Sequence, residues 1–218
     1  MSQKRIFVVD DHPLVREWLA HLINQQGDLA VCGEAEDAPR ARDGIAATKP
    51  DLAIVDISLG GGSGLELIKD LKELHPEVAV IVLSMHDEAL YVERALRAGA
   101  RGYIMKRETA KKVVSAVRQV LAGNLYLSDR ASAMIANKFA GSRPTVGESP
   151  VASLSDRELE VFQRLGQGRE TKQIAEELHL SIKTVQAYCA RIKDKLHLAN
   201  VTELLREAIR WEEQHERM

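Results

Sequence analysis

The chain has 218 residues, 45% of them hydrophobic and 28% charged, which excludes collagen-like, low-complexity and wholly disordered classes and leaves room for one large domain or two modest ones. A net charge of −2 gives no bulk attraction to nucleic acid, so any such contact needs a local patch. Cys32 and Cys189 stand in different segments, outside any CxxC or Cys/His cluster, which argues against a disulfide framework or zinc finger and fits a reducing compartment.

The chain opens MSQKRIFVVDD, where two aspartates end a short apolar run and no small-residue cleavage site follows, so no signal peptide is expected. No uncharged apolar run approaches the roughly 20 residues of a membrane span. A cytoplasmic location without membrane contact is the expectation.

The first strand is expected at 6–9, IFVV, and ends in Asp10 and Asp11. An amphipathic helix follows at 14–26, then a weak strand at 30–33 and a helix at 39–48 with Pro39 in its first turn. The run 52–55, LAIV, ends in Asp56 and leads to a helix at 64–74, where Leu67, Ile68, Leu71 and Leu74 form a stripe. A strand at 78–83 ends in Ser84 and precedes a helix at 88–98. The last strand, 103–105, ends in Lys106 before a helix at 109–122. Apolar runs rich in Val and Ile read as strands buried on both faces. Five of them alternating with five helices predict an α/β doubly wound, five-stranded parallel sheet.

Residues 129–139 read as a helix, and 140–153, AGSRPTVGESPVAS, as an exposed linker. Residues 154–214 then read as all helix, opening on the capping-box pattern Ser155-x-x-Glu158. The expected organisation is a first domain at 1–125, a helix and flexible linker at 126–153, and a small all-α helix-turn-helix domain at 154–218.

In open α/β sheets functional groups collect at the carboxyl ends of the strands. Those ends carry Asp10, Asp11, Asp56, Ser84 and Lys106 here. Alone, each would read as a turn residue, a cap or a solvated lysine. Together they are three carboxylates that repel unless a cation joins them, and a hard ion such as Mg²⁺ fits. With the lysine and hydroxyl they are equipped to stabilise a phosphoryl group, and one carboxylate can be the nucleophile.

The strings VVDDHPLVR at 8–16, DLAIVDISL at 51–59, VLSMHDE at 82–88 and GARGYIMK at 99–106 make residues 4–122 resemble a receiver domain of two-component response regulators. That resemblance implies a flavodoxin-like receiver fold with Asp56 as phosphoacceptor. It also implies that Asp10, Asp11, Asp56 and the main-chain carbonyl of Ser58 hold Mg²⁺. Ser84 and Lys106 would then hold the phosphoryl oxygens, and Tyr103 would be the switch aromatic. A half-buried strand residue would look the same as that switch. Ser58 and His86, two residues beyond Asp56 and Ser84, would flank the approach of hydrolytic water. The family usually has proline four residues after the acceptor; here Gly60 stands there, followed by Gly61 and Gly62.

In the helical part, Ile174–Leu178, the turn at His179-Leu180 and a second helix from Ser181 fit a helix-turn-helix, whose second helix enters the DNA major groove. Residues 181–197 hold Lys183, Arg191, Lys193 and Lys195 against Asp194 alone, a basic island whose lesser alternative is a solvated helix face. The string LSDRELEVFQRLGQGRETKQIAEELHLSIKTVQAYCARIKDKL at 154–196 resembles the LuxR-type DNA-binding domain. Together the two parts resemble the NarL/FixJ subfamily of response regulators. The resemblance implies a core of Ile174, Ala175, Leu178, Val185, Ile192 and Leu196. Gln186 would read a base edge, and Thr171, Lys172, Lys183, Thr184, Arg191 and Lys195 would mostly grip phosphates. Gln186, Tyr188, Ala190 and Val201 depart from residues common in relatives, so the base preference differs.

The leading expectation is a transcription regulator rather than an enzyme. It would take phosphoryl on Asp56 from a histidine kinase and bind double-stranded promoter DNA as a homodimer. The final helix, 202–211, with Leu204, Leu205 and Ile209, is the candidate dimer contact. Two other classes stay open: an aspartate-based phosphohydrolase, against which no cap insertion is visible, and a regulator working mainly through protein–protein contact with weak DNA binding.

Overall fold

The computed structural model describes residues 3–59, 62–85, 88–139 and 150–216. They form two compact units, divided between Ala140 and Gly141.

In the first unit the strands are β1 (Lys4–Val9), β2 (Leu29–Ala35), β3 (Leu52–Val55), β4 (Ser58–Leu59), β5 (Gly62–Ser63), β6 (Ala79–Ser84) and β7 (Gly102–Met105). The helices are α1 (Pro13–Asn24), α2 (Ala38–Thr48), α3 (Gly64–Leu74), α4 (Glu88–Ala98), α5 (Ala110–Leu121) and α6 (Asp129–Phe139). Five strands make a parallel sheet in the order β2-β1-β3-β6-β7, while β4 and β5 pair antiparallel apart from it. The parallel sheet with helices on both faces is the one expected. The weak strand at 30–33 extends to Leu29–Ala35, because it pairs with β1 along its whole length, with a register shift between Ile6 and Phe7.

Alternation along each strand sends successive side chains to opposite faces. Ile6, Val8, Leu52, Ile54, Ile81, Leu83 and Ile104 pack against Leu19 and Ile23 of α1 and Val113, Val117 and Val120 of α5. The alternate residues Phe7, Val9, Ala53, Val55, Val80, Val82 and Tyr103 are also buried. On that face the Phe7 ring lies against Gly33 and Gly44, so close that a Cβ at Gly44 would stand 2.6 Å from it. Burial on both faces is why these strands read as unbroken apolar runs.

Local signals set the helix ends. Asp37 accepts the Arg40 N–H at 2.8 Å to cap α2, which carries Pro39 in its first turn and ends at Lys49 with φ 47°. Helix α6 packs on α4 within the first unit, and Ser128 Oγ donates to Glu88 Oε2 at 2.7 Å.

The second unit holds a 3₁₀ turn at Pro150–Ser153 and helices α7 (Asp156–Gly166), α8 (Thr171–Glu177), α9 (Ile182–Lys195) and α10 (Val201–Glu216). The exposed linker expected at 140–153 needs correction at its end. Val151 is buried beside Leu154, because a turn hydrogen-bonded from Ser153 Oγ to the Pro150 carbonyl at 2.7 Å folds it into the core. Residues 140–149 of that linker lie outside the described residues. The capping box of α7 forms as expected, with Ser155 and Glu158 satisfying each other's main-chain N–H groups. Ile174, Ala175, Leu178, Val185 and Ile192 are buried as expected; Leu196 is only partly so. Phe162 and Trp211 meet edge to face at 5.9 Å, joining α7 to α10. Helix α10 runs beyond the expected 202–211 at both ends.

Candidate functional site

Strand register decides which side chains leave the first sheet together. Val9 pairs with Val55, so Asp10 and Asp56 emerge as neighbours beside the switch point, where the chain order reverses on either side of β1. The Asp56 N–H donates to the Val9 carbonyl at 2.8 Å. Ser84 pairs with Met105 at the end of β6 and β7, and the Lys106 N–H donates to the Ser84 carbonyl at 2.8 Å.

The side chains converge. Lys106 Nζ lies 2.6 Å from Asp10 Oδ2 and 2.7 Å from Asp56 Oδ2. Asp10 and Asp56 are 1% and 3% exposed, and Ser84 is fully buried. Burial pushes the Asp56 carboxyl up to about 6, although Lys106 opposes the rise. Burial works against the Lys106 charge, but Asp56 and Asp10 outweigh it and hold the ammonium above its ordinary range. Ser58 is half-buried and its N–H stands 3.4 Å from Asp56 Oδ1. Tyr103 is 1% exposed on β7, so it is a fully buried strand residue rather than a half-buried one. His86, Gly60 and Gly61 lie outside the described residues.

Asp10, Asp11, His12 and Asp56 each offer a ligand atom, and these atoms all lie within 4.8 Å of one another. Asp11 Oδ1 is shielded from solvent and faces His12 Nδ1 at 2.7 Å. Carboxylates this close repel one another, and a cation would relieve the repulsion. The set therefore fits a hard divalent ion.

Three residues around the pocket were not singled out from the sequence. His12 joins the acidic cluster, and its place directly after Asp10-Asp11 was the available signal. Arg16 Nη1 donates to the Asp10 carbonyl at 2.6 Å and fixes the turn; one helical turn from His12, it carried no distinguishing pattern. Gly64 opens α3 so near the acceptor loop that a Cβ there would lie 1.9 Å from the Asp56 carbonyl oxygen.

In the second unit, α8 and α9 form the expected pair around a turn at His179, whose φ is 53°. Ser181 Oγ accepts the Thr184 N–H at 3.1 Å and starts α9. Lys172, Lys183 and Gln186 are exposed; Thr171 and Thr184 are half-exposed. Arg191 lies over the Tyr188 ring at 4.6 Å. Lys195 is engaged within its own unit: its Nζ lies 2.7 Å from Glu158 Oε2, and Arg191 Nε stands 4.0 Å from Glu158 Oε1. Burial favours the neutral form of Glu158, but hydrogen bonds from Lys195 and Ser155 outweigh it and hold the carboxyl below its usual range. Along α10, Leu204 is fully buried in its own unit and so leaves the expected dimer face, whereas Val201, Leu205 and Ile209 are exposed at four-residue spacing. Among the described residues no helix is long and apolar enough to cross a membrane.

Residues 6–118 match the family model of the response regulator receiver domain, and residues 152–208 match that of the bacterial regulatory proteins of the luxR family. The chain is 34% identical over 210 residues to the oxygen regulatory protein NreC of Staphylococcus carnosus, across 94% of this chain and 97% of that protein. Its structure resembles a two-component response regulator of the LuxR family from Aurantimonas sp. SI85-9A1, with a TM-score of 0.59 and 32% identity, over 64% of this chain and 99% of that one. It also resembles the RcsB response regulator of Salmonella typhimurium, with a TM-score of 0.73 over 95% of this chain and 98% of that one; at 24% identity this likeness concerns the fold alone.

Proposed function

The chain belongs to the response regulators that join a receiver domain to a LuxR-type DNA-binding domain, a family of phosphorylation-regulated transcription regulators rather than enzymes, and from that premise we propose that Asp56 is its phosphoacceptor. The donor is a phosphohistidine on a partner histidine kinase. A carboxylate oxygen of Asp56 attacks the phosphorus, the P–N bond breaks, and the imidazole of the donor leaves with the bonding pair. The product is an acyl phosphate.

The convergence of Asp10, Asp11, Asp56 and Lys106 in one pocket carries this reading. Lys106 holds Asp56 in place and, once phosphoryl arrives, turns its donors to the new oxygens. Ser84 offers a hydroxyl to the same group. Asp10, Asp11, Asp56 and the Ser58 carbonyl would hold Mg²⁺, which when bound supplies charge neutralisation for the carboxylates and the incoming phosphoryl. The added charge at Asp56 then biases the neighbouring strand ends through Ser84 and Tyr103.

The response is DNA binding in the cytoplasm. Two copies bind promoter DNA, with α9 in the major groove, Gln186 at a base edge, and Thr171, Lys172, Lys183, Thr184 and Arg191 on phosphates, joined by Lys195 to the extent that Glu158 releases it.

The test is labelling of the full chain by acetyl phosphate with Mg²⁺. Asp56→Asn abolishes the label, since an amide is not nucleophilic. Asp11→Asn raises the Mg²⁺ concentration needed for half-maximal labelling. Normal labelling of Asp56→Asn would refute the assignment.

A further inference from the structure

The pole of the parallel sheet opposite the phosphoacceptor pocket carries a cavity of about 930 Å³. Lys4, Asp51, Ala79 and Arg101 line it, at or next to the first residues of β1, β3, β6 and β7. Asp10, Asp56, Ser84 and Lys106 stand at the other ends of these strands, so the length of the sheet separates the two places. Such a volume exceeds a packing defect and falls within the roughly 300–1,000 Å³ of small-molecule sites.

The cavity has an aliphatic floor and a cationic rim. Val78 and Val80 around the start of β6, Leu96 of α4, Val120 and Leu121 of α5 and Ile135 of α6 supply the floor. Among the described residues no aromatic ring lines it, so the surface suits a hydrocarbon chain and offers nothing on which a nucleobase could stack. Five basic side chains and three carboxylates, counted among the described residues, also line it. The carboxylates have partners of their own. Asp51 Oδ1 lies 2.7 Å from Lys4 Nζ, Glu93 pairs with both Arg97 and Lys138, and Glu77 Oε1 stands 3.7 Å from His75 Nδ1. Lys72 and Arg101 pair with no carboxylate among the described residues. Lys72 Nζ reaches the Arg97 carbonyl and Arg101 Nη1 the Gly123 carbonyl, each at 3.5 Å, longer than an ordinary hydrogen bond.

The backbone sets these two cations at one corner. Gly99 has φ 125°, and a Cβ there would stand 2.8 Å from Lys72 Cδ, so the lysine stem lies across the loop that leads into Arg101. The Arg101 N–H donates to the Val80 carbonyl at 2.7 Å, which ties that loop to the cavity floor. We infer that the cavity is a ligand site for an aliphatic carboxylate, its chain against Val80, Leu96 and Ile135 and its head between Lys72 and Arg101. The guanidinium fork of Arg101 matches the two carboxylate oxygens, and Lys72 adds a point charge. Touching α4 and α6 at once, the ligand strengthens the docking of α6 on the first unit.

The full chain is titrated by calorimetry with octanoate, 1-octanol and acetate, and its Tm is followed with each. Octanoate binds one to one and raises the Tm. 1-Octanol, with the same chain and no charge, binds at least about tenfold more weakly, and acetate, with no chain, does not bind. Arg101→Ala and Lys72→Ala each lower octanoate affinity about tenfold and leave that of 1-octanol within about twofold, because only the head loses a charged hydrogen bond. Both residues are exposed, so each variant keeps the ligand-free Tm of the wild type, which separates lost binding from lost fold. Ile135→Trp fills the cavity and lowers both affinities. Absence of saturable octanoate binding, a lowered Tm, equal affinity for octanoate and 1-octanol, or octanoate affinity unchanged by either alanine variant overturns the inference. Undiminished binding by Ile135→Trp overturns it too, since the ligand would then sit elsewhere.

Discussion

Burial sets the ionisation of Asp56, and with it the cost of keeping the site ready. Its carboxyl stands at about 6 against an ordinary 3.8. At one unit per 1.36 kcal/mol, the metal-free pocket destabilises the fold by about 3 kcal/mol once Asp56 is ionised. The sign follows from the raised value. The folded state holds the Asp56 proton more tightly than the unfolded chain, so stability is lost as pH rises from about 4 through 6. Without divalent ions, Asp56→Asn therefore has a higher Tm than the wild type at pH 7.5. That gap closes as the pH is lowered towards 4, and Mg²⁺ narrows it at pH 7.5 by stabilising the wild type alone. Thermal melts of both proteins across this range check it, and a gap that does not vary with pH would sink it.

Elements in this chain divide into those with punctuated ends and those set by distant partners. Helices α3, α4 and α6 have the bounds expected from periodicity, because their apolar stripes and flanking residues are local. The site carboxylates are legible for a similar reason: Asp10 and Asp56 follow directly on apolar runs, and Asp11 follows Asp10. Strand β2 reads shorter in the sequence because Gly33-Glu34 breaks its apolar run, while its length is fixed by pairing with β1. Pro150–Ser153 read as linker because proline and serine dominate locally, whereas burial of Val151 depends on a core assembled far along the chain. The Glu158–Lys195 pair was hidden likewise, since the two residues stand 37 apart and each fits a local role. That pair separates two lysines that look alike in sequence. Lys195→Ala strands a buried carboxylate and costs about 1–3 kcal/mol of stability in the second unit, lost at neutral pH where Glu158 is ionised. Lys183→Ala, on an exposed position, changes stability by less than about 0.5 kcal/mol. Urea titration of both variants distinguishes them; equal stabilities would show that Lys195 is free to serve DNA alone.

At the scale of the whole molecule, a small DNA-binding unit works against its own size. One such module buries roughly 600–1,000 Å² on DNA, which limits affinity. Pairing two copies on half-sites about one helical turn apart overcomes that limit. Val201, Leu205 and Ile209 form an exposed apolar stripe on α10, the surface proposed for the pairing, whereas Leu204, Ala208 and Trp211 are committed to the unit's own core. Leu205→Asp therefore leaves the fold intact and abolishes cooperative binding to a two-site promoter, while a single half-site is bound as before. Reading and gripping separate in the same assay. With Lys183 on a phosphate, as proposed, Lys183→Ala weakens specific and nonspecific binding together and flattens the salt slope by about one unit. With Gln186 at a base edge, as proposed, Gln186→Ala costs about 1–3 kcal/mol on the correct site alone, and so lowers discrimination with the salt slope unchanged. Footprinting and titration at two salt concentrations on a captured promoter measure all three. Base preference untouched by Gln186→Ala would mean that another residue of α9 faces the base edges.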